Sequence, residues 1–482
     1  MLVIFNIILM ALTAFYGIYL FYLRRKESER VKLLRQQERF MGNLVSEYGA
    51  NENLMEALEN SMRREDTLYN HENNKMLDAL SDGADSESGE YFVRHAKNSF
   101  LSLLFALCAT IRSYGDSVYD GVSLFARNLR YIKDELRAAL LLSEEKKYQF
   151  SGLDMLSLLP IFFTIPIEDW ARGIDDEMTG YYSGIYGIVT LLICFFVTIG
   201  SMWIISLMEY DSASNARASF FGNLFLKSGL FSYLLDRHIT RNYSKYLRLN
   251  EELKKMSVYE DIKLFIAERI GSGLIFMISV GIAMPVFLTM GDSGTDSFPV
   301  FLAVLPAAFL TGFLMPKIRV MIYHYRNKNR MMEETLLFQT LILLLMHYSE
   351  ITVEEILSWM ERFSDVFRES IERAVDDFSY RRKESLDRLM EELSYEPAVR
   401  LAECMAACDE IEVTRAFYDL ESEREYYMEQ YRQSAFDSLK ERGAFCRLIA
   451  FAPFVSVLAL RLIIPFVLVG LTELSGYSNM FG

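Results

Sequence analysis

Six apolar stretches limit the folds open to this chain more than any other feature of its sequence. A hydrocarbon core of roughly 30 Å needs about 20 apolar residues in helical form. The stretches run over 1–23, 153–167, 184–208, 270–290, 299–315 and 448–471. Long charged segments separate them and contain most of the residues. The pattern therefore predicts a polytopic membrane protein with large soluble parts.

Composition supports this mixture of membrane and soluble material. Charged residues make up 24% of the chain, as in a soluble protein, whereas the mean hydropathy of +0.12 is slightly positive. The formal net charge of −15 argues against nucleic acid as a partner, because phosphate binding needs a basic face. The five cysteines fall in predicted helices or spans, which argues against a disulfide framework and fits a reducing cytoplasm.

Charge around the apolar stretches predicts their orientation, since Lys and Arg collect on the cytoplasmic side of a membrane. The linkers 168–180 and 291–298 hold seven acidic residues against one base, Arg172. The segments on the other side carry many bases, including Arg241 and Arg326. We therefore expect six spans with both termini outside. Residues 1–23 are expected to stay as an anchor, because they lack the cleavage site of a signal peptide.

The predicted fold class is all-α, because no strand alternation is visible and runs of Leu, Met, Ala, Glu and Arg favour helix. In chain order we expect a transmembrane anchor (1–23), a cytoplasmic helix with an acidic flexible linker (24–90), a first cytoplasmic helical bundle (91–152), a transmembrane pair (153–208), a cytoplasmic helical segment (209–269), a second transmembrane pair (270–316), a second bundle (317–445) and a C-terminal transmembrane helix with a short tail (446–482). Six helices are predicted within the second bundle, at 333–348, 353–362, 365–378, 381–393, 397–408 and 413–442.

The two predicted bundles open alike. A Leu-Leu-Phe run at 103–105 leads to Tyr114, and another at 336–338 leads to Tyr348. Each tyrosine is followed by a hydroxyl and a carboxylate three residues apart, at 117–120 and 352–355, which is the spacing of a helix capping box. The pair indicates a duplicated unit, each copy of which leads into a membrane span.

Three segments of the second half carry a family resemblance: 336–357, 403–410 and 451–465. They are similar to the first two helices, the fifth helix with its turn, and the proline-containing exit helix of the type II secretion system F family. This family comprises the inner-membrane platform proteins of type II secretion, type IV pili and Tad pili. A fainter similarity covers 91–170. Glu350 stands near the place where the family usually has a glycine.

The resemblance implies a non-catalytic platform in the bacterial cytoplasmic (inner) membrane. Such a platform couples a cytoplasmic assembly ATPase to the extraction of pilin or pseudopilin subunits from the lipid bilayer. It also implies a homo-oligomer, or a hetero-oligomer with a second platform protein. Independently, the sequence holds no P-loop, Gly-rich dinucleotide loop or His-Glu-x-x-His motif, so we expect no enzyme activity, cofactor or metal.

Two groups of residues are candidate sites. The acidic residues at predicted helix ends of the second bundle are candidates for docking the ATPase, although most such charge runs are only solvated faces: Glu350, Glu354, Glu355, Asp409, Glu410 and Glu412. Arg461 lies near the middle of the last apolar stretch, where an isolated charge costs at least about 2.5 kcal/mol. It predicts an ion pair, a contact to pilin-like helices, or an arginine that extends to the membrane surface.

Two alternatives remain open from the sequence. A transporter or channel subunit would use proline-broken spans and Arg461 to line a path, but no second charge within a span is expected to pair with Arg461. A membrane-tethered signalling scaffold would bind a soluble partner through the second bundle. Cys404 and Cys408 lie one helical turn apart, and buried small residues are the favoured interpretation over a metal site.

Overall fold

The computed structural model describes the chain over 2–62, 67–83, 86–119, 121–174, 176–209, 229–241, 246, 262–290, 298–348, 351–393 and 395–481. In chain order the helices are α1 (Leu2–Asn51), α2 (Leu54–Met62), α3 (Thr67–Asp82), α4 (Glu87–His95), α5 (Ser99–Tyr114), α6 (Leu124–Phe150), α7 (Leu153–Phe162), α8 (Thr164–Ile174), α9 (Asp176–Ser183), α10 (Ile185–Glu209), α11 (Gly229–Arg241), α12 (Ile262–Met290), α13 (Phe298–Leu345), α14 (Val353–Phe363), α15 (Arg368–Phe378), α16 (Arg382–Glu392), α17 (Glu396–Ala407), α18 (Val413–Ala416), α19 (Tyr418–Val457), a π-helical turn (Leu458–Ile463) and α20 (Ile464–Phe481).

Strand structure among the described residues is limited to one two-residue ladder. Its strands, β1 (Val118–Tyr119) and β2 (Val122–Ser123), pair antiparallel across a turn. The all-α prediction is therefore confirmed. Four of the six helices predicted in the second bundle are also confirmed, as α14 to α17, with ends that agree within three residues. The helix predicted at 333–348 is instead the end of the 48-residue α13, and the one predicted at 413–442 is divided into α18 and α19.

Packing divides the chain into two compact units. The first comprises 1–24, 146–326 and 439–482, and we call it the apolar unit. The second comprises 25–145 and 327–438, and we call it the bundle unit. Four helices, α1, α6, α13 and α19, contribute residues to both.

Four helical runs among the described residues are long and apolar enough to cross a membrane. They span Asn6–Ala50, Leu124–Ile174, Tyr186–Glu209 and Ser422–Thr472. They contain the predicted stretches 1–23, 153–167, 184–208 and 448–471, in whole or in large part. The stretches at 270–290 and 299–315 lie in α12 and α13 and remain predictions, and much of the expected segment 209–269 lies outside the described residues.

A single hydrophobic core holds the bundle unit together, and both predicted bundles contribute to it. Every residue from Leu101 to Ile111 of α5 is buried, as is every residue from Phe338 to Leu345 of α13. Helices that are apolar on all sides lie at the centre of a fold. The two Leu-Leu-Phe openings are therefore the central helices of one unit.

Of the two helix N-caps expected after the Leu-Leu-Phe openings, the structure contains one and lacks the other. The Thr352 hydroxyl accepts a hydrogen bond from the Glu355 N–H at 3.3 Å, so α14 begins as predicted. Ser117 begins no helix, because the β1–β2 turn follows it, with Gly121 at a φ of +76°. α6 begins only at Leu124, where the Ser123 hydroxyl accepts from the Ala126 N–H at 3.1 Å. Asp120 lies outside the described residues.

The acidic flexible linker expected at the end of the segment 24–90, over residues 81–90, is corrected in part. α3 continues to Asp82, and α4 already begins at Glu87. The Ser86 hydroxyl accepts from the Gly89 N–H at 3.1 Å and so supplies the N-cap that α4 needs. A polar composition prevented burial of an apolar face here but did not prevent helix formation.

Candidate functional site

The π-helical turn Leu458–Ile463 carries Arg461, which is fully buried. The Ile464 N–H donates to the carbonyl of Ala459, five residues back, and so leaves the carbonyl of Leu460 without its usual partner. Pro465 has no N–H to offer the carbonyl of Arg461. π-turns of this kind occur frequently at functional sites.

Two tyrosine hydroxyls donate hydrogen bonds to the carbonyls that have no backbone partner in the π-helical turn. The Tyr182 hydroxyl donates to the carbonyl of Arg461, and the Tyr186 hydroxyl donates to that of Leu460 at 2.6 Å. Unpaired buried carbonyls are costly where no water can reach them. The tyrosines of α9 and α10 are therefore matched to the irregular turn.

The Arg461 guanidinium pairs with the carboxylate of Glu168 on α8. It also donates to the Gly187 carbonyl at 3.0 Å and to the Thr190 hydroxyl at 3.4 Å, and lies 5.1 Å from the centre of the Tyr182 ring. The side chain thus links the last apolar stretch to α8, α9 and α10. A fully buried charge requires such partners. Both terminal nitrogens of the guanidinium have them, whereas its Nε makes no hydrogen bond.

Glu168 corrects two expectations. It was expected in an external acidic loop, but it lies within α8 with 5% of its surface exposed. The expectation that no second charge within a span pairs with Arg461 is also corrected, because Glu168, which lies in the apolar helical run Leu124–Ile174, does so. Arg172, one turn further along α8, binds the same carboxylate. The charged groups at this site are therefore two bases and one acid.

Gly187 allows the cluster to form. A Cβ atom at this position would lie 2.0 Å from the carbonyl oxygen of Tyr182, so no other residue fits without a shift of the backbone. The close approach brings Tyr182, Tyr186 and the Gly187 carbonyl to the same side of the π-turn. We call Glu168, Arg172, Tyr182, Gly187 and Arg461, with Tyr186 and Thr190, the arginine cluster.

A second polar contact in the apolar unit surrounds Arg24, at the end of the first apolar stretch. Arg24 forms ion pairs with Asp154 at 2.9 Å and Glu209 at 3.0 Å, and donates to the Phe150 carbonyl at 3.0 Å. These contacts join the polar ends of three apolar helices. The arginine therefore neutralises two largely buried acids at the start of α7 and the end of α10.

The predicted docking acids lie on two elements of the bundle unit. Glu354 and Glu355 are in the first turn of α14, where they accept hydrogen bonds from Ser379 at 3.3 Å and Tyr114 at 3.1 Å. Asp409, Glu410 and Glu412 are exposed in the turn between α17 and α18.

The turn that carries Asp409, Glu410 and Glu412 is connected to the end of α13. The Thr414 hydroxyl, at the start of α18, donates to the Met346 carbonyl at 3.1 Å. Glu350 lies outside the described residues.

The interior of the bundle unit holds a polar contact that sequence reasoning missed. The buried carboxylate of Glu135 on α6 accepts from the Thr340 hydroxyl of α13 and from Arg424 of α19 at 3.4 Å. Burial raises the pKa of Glu135 to about 8, against the opposing effect of Arg424. The contact joins helices from both predicted bundles.

Glu334 of α13 binds the start of α15. Its carboxylate accepts from the backbone N–H groups of Asp365, Val366 and Phe367 at 3.0, 2.6 and 3.1 Å. A carboxylate is favoured at a helix N-terminus by the helix dipole. Burial raises the pKa of Glu334 to about 7, while the three N–H donors act in the opposite direction.

Neither unit presents a constellation of metal ligands within the described residues. No group of three or more His, Cys, Asp or Glu side chains could hold a metal there. The Cys408 thiol donates to the Cys404 carbonyl of its own helix at 3.2 Å.

Comparison with protein-family models, with curated proteins and with solved structures finds no match for this chain.

Proposed function

We propose that this chain is a non-catalytic platform protein of a type IV or Tad-like pilus, or of a type II secretion apparatus. It sits in the bacterial inner membrane with six spans, both termini outside and the bundle unit in the cytoplasm. There it couples an assembly ATPase to the extraction of pilin or pseudopilin subunits, as a homo-oligomer or beside a second platform protein.

One observation carries the proposal: four helices contribute residues both to the apolar unit and to the bundle unit. α1 contains an apolar stretch of membrane-spanning length and a polar stretch whose inner face packs in the bundle core. α19 reaches that core through Leu420 and contributes residues 448–457 of the last apolar stretch, which continues into α20. A helix of this kind transmits a displacement of its soluble end to its membrane end, because its backbone hydrogen bonds resist extension. Force transmission needs no cofactor and no catalytic residue.

The buried state of Arg461 favours a platform over a transporter. Its guanidinium is fully buried and is already paired with Glu168, Gly187 and Thr190. A residue that lines a conducting path would need at least one face open to water. The arginine cluster instead joins membrane helices to one another.

Charge reversal tests the proposed ATPase contact. The full-length chain, tagged and extracted in detergent, should retain an assembly ATPase, and E354K combined with D409K should reduce its recovery at least tenfold. Both side chains are exposed. The matched control is D78K combined with E391K, which makes the same change in net charge at exposed positions of α3 and α16. Equal ATPase recovery with both double variants would rule out these acids as the contact.

A further inference from the structure

The outer face of α1 changes from apolar to basic within about two turns. Up to Tyr22 its exposed side chains are apolar or aromatic, with Phe15, Ile18 and Tyr22 between 64% and 73% exposed. Beyond Leu23 the exposed side chains include four bases, Arg25, Lys26, Arg30 and Lys32, and one acid, Glu29. We call these four bases the basic stripe.

Helix geometry separates the stripe from the neighbouring Arg24. Successive residues of an α-helix point about 100° apart. Arg24 points inward and pairs with Asp154 and Glu209. Arg25 and Lys26 are both exposed. The run of three bases therefore divides into one structural arginine and two that face outward.

The surplus of positive charge is local. The whole chain carries a formal charge of −15, but the exposed part of α1 from Arg25 to Lys32 carries four bases against one acid. Arg30 lies seven residues beyond Leu23, or about 10 Å along the helix axis at about 1.5 Å per residue. This is close to the Debye length of about 8 Å at physiological ionic strength.

We propose that the basic stripe binds the headgroups of anionic phospholipids. The exposed aromatic side chains before it, Tyr19 and Tyr22, suit the interfacial layer of a bilayer, where amphipathic rings collect. Clusters of bases directly cytoplasmic of a membrane helix attract anionic lipid. The proposal rests on the membrane placement of α1, but not on the identity of the partner proteins.

Lipid titration of the full-length protein in neutral detergent tests the stripe. Phosphatidylglycerol should raise the thermal midpoint more than phosphatidylcholine at the same mole ratio, and 0.5 M salt should weaken the difference. In the triple variant R25Q/K26Q/R30Q, the phosphatidylglycerol concentration for half of the shift should rise about fivefold per base, or on the order of a hundredfold in all. The control R381Q/R382Q/K383Q removes three exposed bases elsewhere and should behave as the wild type.

Three outcomes would overturn the proposal: an unchanged titration in the triple variant, an equal shift with phosphatidylcholine, or the same shift with inorganic phosphate alone. A different result would contradict the platform function: the protein captures no ATPase although its lipid titration is as expected. The membrane placement would be contradicted if the chain were recovered in the soluble fraction without detergent.

Discussion

At the scale of single residues, Glu168 and Arg461 are unequal partners. Arg461 is fully buried, and Glu168 is its only acidic partner among the described residues, whereas Glu168 also binds Arg172. E168M should therefore lower the free energy of unfolding by about 3–5 kcal/mol, because it leaves an unpaired buried charge. R461M should lower it less. The double variant should recover much of that loss. Thermal midpoints in detergent measure all three, and equal losses for the two single variants would contradict the ordering.

Glu135 predicts a pH dependence at the same scale. Its pKa of about 8 in the folded state lies above the ordinary value of 4.5. Between these values the folded state binds more protons than the unfolded state, so this carboxyl's contribution to stability falls as the pH rises from about 4.5 to about 8. E135Q does not titrate and keeps an amide that can accept from Thr340. Relative to the wild type it should gain stability with pH, by up to ~1.4 kcal/mol per pH unit.

Chemical unfolding of the full-length protein at several pH values between 5 and 8 measures this difference. E391Q, which removes an exposed carboxylate, is the control and should follow the wild type. Parallel pH profiles for E135Q and the wild type would show that Glu135 ionises normally in the folded state.

At the scale of elements, α10 offers a matched pair of glycines. A Cβ at Gly187 would overlap the Tyr182 carbonyl, whereas a Cβ at Gly200 would meet nothing within 4 Å. G187A should therefore lower the thermal midpoint strongly and displace the tyrosines from the π-turn. G200A should be neutral or stabilising by about 0.5–1 kcal/mol, since alanine favours helix. Similar midpoints for the two variants would contradict the close approach at Gly187.

Elements also show what local sequence patterns can predict. The helices from α14 to α17 follow from composition, a capping box and Pro397, all of which act within a few residues. The buried stripe of α1, including Met41 and Leu44, follows from helical periodicity in the same way.

No local sequence pattern predicts the contacts between residues that are distant in the chain. Glu168 and Arg461 are 293 residues apart, and Glu135 and Thr340 are 205 apart. Pro465, four residues after Arg461, is the one local sign of an irregular turn, because it removes an N–H from the helix. The β1–β2 turn was missed because a hydroxyl and a carboxylate three residues apart also occur in turns.

At the scale of the whole molecule, the two segments of the bundle unit complete one core. The rings of Tyr114 and Tyr348, which stand at equivalent places in the two openings, lie 5.8 Å apart. The Asn128 amide of the first segment donates to the Leu344 carbonyl of the second at 3.3 Å. Two separate bundles would each fold alone, whereas one shared core requires both segments.

A split chain separates these two cases. Divided between residues 295 and 296, the chain gives two fragments, each with one segment of the bundle unit. We expect the co-expressed fragments to co-purify in detergent and to unfold in one cooperative transition, because each alone exposes the buried faces of α5 or α13. Each fragment expressed alone should aggregate or be degraded. A Y114A substitution in the first fragment should weaken the association without preventing it, since it removes one ring contact and the hydrogen bond to Glu355 among many contacts. Stable, monodisperse fragments that do not associate would show that each half folds alone, and that the shared core is not what holds the bundle unit together.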